Sequence, residues 1–162
     1  MLLNSTKLFV LMLVGLMLIP VSSAFAEGYG KQKVVYHINY DNPKKQGGAL
    51  RNVQNHINAV GKENLDLKIV LHGNGLSLLV RPEALKRLPK FKHANADNKM
   101  VSKIDNLKDQ GVAFEVCANT VKGRKVDIYG DLHDVDEKKD IVPSGVAELA
   151  HLQAQGYSYI KP

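Results

Sequence analysis

The chain has a single cysteine, Cys117, and no tryptophan among its 162 residues. With no second cysteine, the odd thiol points to a reactive group or to pairing between molecules. None of the six histidines stands at a His-x-x-His spacing, and no Cys-x-x-Cys occurs, so the usual metal-ligand signatures are missing. Aromatic residues make up only 6% of the chain and no Arg/Gly-rich tract is present, which argues against a nucleic-acid partner. Gly73-Asn74-Gly75 lacks the Lys-Ser/Thr tail of a phosphate loop, and no Ser-His-Asp order can be assigned. Internal repeats and low-complexity segments are also lacking.

Only one long apolar run is present, Leu8 to Ile19, preceded by Lys7 and broken by Pro20. Ala24-Phe25-Ala26 then places small residues where a signal peptidase reads them. Residues 1–26 are therefore expected to be a secretory signal peptide, cleaved before Glu27, with residues 27–162 forming one exported, periplasmic domain. The run is short for a membrane span and no later segment is longer, so no membrane-spanning helix is expected. The formal charge is +6, and removing Lys7 leaves about +5, spread over many lysines. In an oxidising compartment an exposed lone thiol is vulnerable, so Cys117 is either well buried or in use.

Gln32 to Asn39 reads as a first strand, ended by a turn through Pro43. Gly47 to Val60 has Leu50, Val53, Ile57 and Val60 on one helical face. Leu67 to His72 reads as a second strand running into the Gly73-Asn74-Gly75 turn. Leu76 to Val80 is apolar without a deciding period. Arg81 to Lys99 is lysine-rich, with one or two helical turns and then a loop; its basic cluster reads as a solvated face. Asp97 caps a helix whose core face is Met100, Val101, Ile104 and Leu107. Val112 to Cys117 is the next strand, and Ala118-Asn119-Thr120 reads as a polar turn. Lys122 to Lys139 reads as mostly loop. Ser144 caps a helix from Gly145 to Gln155 with Val146, Leu149 and Leu152 inward, and Tyr157 to Ile160 closes the chain as a strand. Strands alternating with helices predict a three-layer α/β fold: a mainly parallel sheet of four or five strands with helices on both faces.

Ligands of open parallel sheets bind outside the carboxyl ends of the strands. The groups there are His37 and Asn39, then His72-Gly73-Asn74, then Cys117-Ala118-Asn119-Thr120. Lys122 and Arg124 follow closely in sequence and would favour a thiolate, whereas Glu115 should share the face of Cys117 and oppose it. His37, His72, Cys117 and His133 form an alternative soft-metal set for copper or zinc, without ligand spacing to support it.

Val116-Cys117-Ala118-Asn119-Thr120, the charged glycine loop, Ser144 to Leu149 and Tyr157 to Ile160 resemble the DsrE/DsrF-like (YchN-like) family. The order of elements matches from about Lys33 to the end. The resemblance implies a compact α/β fold, assembly into homo-oligomers, and a strand-end cysteine that accepts and passes on sulfane sulfur as a persulfide. Cys117 is the matching position. The chain differs from the cytoplasmic relay proteins in its signal peptide and in having no second cysteine. The expected function is a sulfur carrier or weak transferase acting through Cys117, with no cofactor. Its partners would be a small sulfur compound or a thiol protein. Asn39, His72, Gly73, Asn74, Asn119 and Thr120 are expected to line the pocket, with Lys122 or Arg124 steadying the thiolate. A non-catalytic module binding a small ligand or a soft metal is the alternative.

Overall fold

The computed structural model describes residues 28–162. The signal-peptide reading falls on residues outside them. The described chain forms a five-stranded, all-parallel sheet with helices on both faces, as the alternation of patterns predicts. The strands are β1 (Gln32–Ile38), β2 (Leu65–Leu71), β3 (Ala113–Cys117), β4 (Ile141–Val142) and β5 (Ser158–Ile160). Their spatial order is β4-β3-β2-β1-β5. The chain thus steps outward from β1 through β2 and β3 to β4, then returns past them all to lay β5 against the other side of β1.

That reversal puts helices on both faces, because right-handed crossovers running in opposite directions must cover opposite sides of a sheet. On one face lie α1 (Pro43–Val60) and α2 (Asn98–Asp109). Leu50, Val53 and Ile57 from α1, with Ile104 and Leu107 from α2, pack on Tyr36, Ile38, Ile69, Leu71, Phe114 and Val116. The other face is crossed by α5 (Gly145–Ala154), which buries Leu149 and Leu152 against Val35, Val70 and Tyr157. Each such leucine contributes roughly 1.5–3 kcal/mol on burial. Val146, expected inward, is instead 65% exposed, because Gly145, one residue earlier, shares the buried face with Leu149 and Leu152.

Several boundaries differ from the sequence reading. Helix α1 starts at Pro43, since Asn42 Oδ1 accepts from Lys45 N at 2.9 Å and proline at the first position needs no hydrogen-bonded N–H. Leu76 to Leu78 belong to 3-10 turns running from Gly73, fully packed in the core rather than forming a strand. Gly75 makes this packing feasible: a Cβ there would fall 1.9 Å from the Ile38 carbonyl oxygen. Asp97 caps α2 as expected, accepting from Met100 N at 2.8 Å. The polar turn expected after Cys117 is a short helix, α3 (Ala118–Arg124), followed by another, α4 (Ile128–Asp131).

Candidate functional site

Period-two alternation decides which strand-end groups meet. Val35 of β1 and Val70 of β2 face α5, so His37 and His72, two residues on, face the same way. Glu115 pairs in register with Val70, which puts Cys117 on that face too. The register pairs Leu71 with Val116, so one residue further along His72 stands beside Cys117 on the neighbouring strand. Tyr36 pairs with Ile160, so Lys161 comes level with His37. The carboxyl edge under α5 therefore gathers Cys117, His72, His37, Tyr159 and Lys161.

Cys117 is 5% exposed and is the residue from which α3 starts. Burial pushes its thiol pKa up, yet the net shift is downward. The backbone N–H of Gly145, the Thr120 hydroxyl and N–H, and the Asn119 N–H outweigh burial by favouring the anion. Thr120 is oriented for this role, because its Oγ1 accepts from Gly73 N at 2.8 Å and its own hydroxyl proton is left free to donate. Gly145 brings the first turn of α5 down onto the site. A Cβ at that position would lie 3.0 Å from His72 Cβ and 3.2 Å from Cys117 Cβ, so the absence of a side chain lets this amide approach closely. The positive end of the ten-residue helix α5 adds to the same effect.

Of the residues expected from sequence, Cys117, His72, Gly73, Asn119 and Thr120 are brought together. The Asn119 side chain is exposed, and its contribution is its amide. Asn39 follows the end of β1, where its Cα is 3.0 Å from the point a Gly75 Cβ would occupy. Asn74 and Arg124 form a separate pair: Arg124 Nη2 donates to Asn74 Oδ1 at 2.6 Å and Nη1 to Lys90 O at 2.8 Å. The guanidinium also stacks 4.3 Å from the Phe91 ring centre, so Arg124 is turned to the outer wall of α3. Lys122 is exposed. The groups that act on the thiol are amides and a hydroxyl rather than these two cations. Glu115 does not confront the thiol freely, because Lys68 Nζ holds it at 2.6 Å. Burial, opposed by Lys68, raises its pKa.

Sequence reasoning named His37 at a strand end but not its partners. His37 Nε2 lies 2.7 Å from His72 Nε2, and His37 Nδ1 lies 2.6 Å from Tyr159 Oη. Burial, then the charges of His72 and Lys161, lower His37 to about 4. Burial and Lys161 also lower His72. Both rings are therefore neutral near pH 7. The fourth member of the soft-metal set is elsewhere: His133 Nε2 is 2.7 Å from Asp105 Oδ1. Among the described residues no three His, Cys, Asp or Glu side chains converge in a way that could hold a metal ion.

The depression between Arg81, Tyr129, Val135 and Lys138 is lined by none of these residues, whereas Lys161 borders another, with Tyr40, Lys45 and Asn52. The arrangement offers a buried thiol whose anion is favoured by backbone amides and a hydroxyl.

A family model described as the DsrE/DsrF-like family matches residues 33–162. A solved structure of a protein of unknown function from Methanobacterium thermoautotrophicum is similar, with a TM-score of 0.63 and 27% identity. That likeness covers 82% of this chain and 100% of the other. No curated protein matches.

Proposed function

Because this chain belongs to the DsrE/DsrF-like family, we propose that it carries sulfane sulfur as a persulfide on Cys117. The observation that supports this reading most is the thiol itself, set at a strand end with its pKa lowered by three amides and the Thr120 hydroxyl. A carrier needs a thiolate to attack and a site from which sulfur can leave again. In the loading step, the Cys117 thiolate attacks the outer sulfur of a donor persulfide. A new S–S bond forms, the donor's S–S bond breaks, and the donor departs as a thiolate. No external oxidant or reductant is required. Unloading is the same exchange with an acceptor thiolate.

The reading includes two further parts. One is export, supported by the apolar run Leu8 to Ile19 and the Ala24-Phe25-Ala26 site. The other is assembly into a homo-oligomer through the outer side of α5, where Val146 stands exposed.

Native-state thiol titration tests the carrier reading. Cys117 should alkylate with iodoacetamide in the folded protein, with an apparent pKa below the ordinary cysteine value of about 8.5. A thiol that reacts only after denaturation is an inert core residue and would end the proposal.

A further inference from the structure

A second chemical unit adjoins the thiol. Tyr159 Oη, His37 and His72 form a continuous hydrogen-bonded chain, with steps of 2.6 Å and 2.7 Å. Two Nε2 atoms at that distance share one proton: one imidazole carries the N–H and the other presents its lone pair. The tautomers are therefore coupled. With the proton on His72 Nε2, His37 accepts at Nε2 and donates from Nδ1 to the Tyr159 oxygen. His72 then has an unprotonated Nδ1, free to accept a proton.

The inner end of this chain is placed by the sheet. His72 stands beside Cys117 one step beyond the Leu71–Val116 pair, at the ~4.8 Å spacing of neighbouring strands. Gly145 caps both side chains. The outer end reaches solvent, since Tyr159 is 42% exposed. Of the charged groups around it, Lys161 on the tail after β5 acts on both imidazoles. Glu115 on β3 is tied to Lys68. A pair of neutral imidazoles can pass a proton along without holding a charge.

We propose that Tyr159, His37 and His72 form the proton path between the Cys117 thiol and solvent, a role that rests on the carrier reading. Loading must release the thiol proton. It passes to His72 Nδ1, His72 Nε2 gives its proton to His37 Nε2, and His37 Nδ1 gives its proton to the Tyr159 oxygen. The original hydroxyl proton of Tyr159 leaves to water. Each imidazole ends neutral in its other tautomer, and the thiolate is free to attack. The departing donor thiolate takes a proton from water. Run in reverse, the path reprotonates Cys117 after the sulfur is handed on.

The test follows sulfur uptake from polysulfide by intact mass over time, in wild type, His37→Gln and Tyr159→Phe, across a pH series. Near pH 7, His37→Gln should load ~10²-fold more slowly, the lower range for a positioned acid–base group, and Tyr159→Phe less so. Above about pH 9, where hydroxide deprotonates the thiol directly, the rates should converge. Added imidazole should restore His37→Gln near pH 7, which it would not do for a packing defect. Wild-type rates in both variants overturn the path and leave the carrier standing. Slow loading at every pH without imidazole rescue also overturns the path. A wild-type protein that takes up no sulfur overturns the carrier reading and the path with it.

Discussion

His37 shows how one residue's surroundings set a whole-protein property. Its folded pKa of about 4 lies below the unfolded value of about 6.5, so between those two pH values the unfolded chain binds the proton and the folded chain does not. The contribution is intact above about pH 6.5 and is lost as the pH falls toward 4, for a total of about 3 kcal/mol. His72 works in the same direction, while Glu115, raised by burial, gains stability for the fold as the pH falls. Urea midpoints measured between about pH 7 and pH 4.5 should therefore decline steeply in wild type and less in His37→Gln. Equal slopes would show that the ring is not held neutral. At this scale the sequence was partly legible. Their places at the carboxyl ends of parallel strands were enough to bring His37, His72 and Cys117 to one edge. Lys122 and Arg124 misled because nearness in sequence is not nearness in space: α3 turns by about 100° per residue. One turn on, Thr120 comes back over the thiol, while Arg124 goes to Asn74 and Phe91.

Among the elements, the start of α5 matters most. Its Ser144 cap and its Leu149 and Leu152 face were readable from pattern alone. What the pattern could not say is where the helix begins in space, because that depends on β5 lying beside β1 rather than beside β4. The order of strands in a parallel sheet leaves no periodic mark on any one segment. The short helix α3 was missed for a related reason: seven residues with no buried side chain show no apolar stripe. Gly145→Ala tests the element. The new methyl would crowd the Cβ atoms of His72 and Cys117 rather than flexible tips, so the start of α5 is expected to shift and draw its amide back from the sulfur. The expected cost is about 1–3 kcal/mol in denaturant unfolding, as for other overpacked sites. The Cys117 alkylation profile should shift to higher pH with it. A destabilised variant with an unmoved thiol profile would show that the Gly145 amide does not matter to the thiolate.

For the molecule as a whole, the two faces of the sheet are unequally covered. α1 and α2 build the large core, whereas α5 alone crosses the other side and leaves Val146 and Tyr159 in water. Sedimentation velocity is expected to find an oligomer, and Val146→Glu should shift it toward monomer by placing a charge in the contact. A wild-type monomer at high concentration would contradict the assembly part of the proposal. The central claim is the persulfide on Cys117, and intact mass spectrometry of protein taken from the periplasm tests it most directly, before and after incubation with polysulfide or thiosulfate. The account predicts the mass of a chain beginning at Glu27, then a gain of one or more sulfur atoms that reductant removes and Cys117→Ser abolishes. An unmodified thiol after every donor would contradict it.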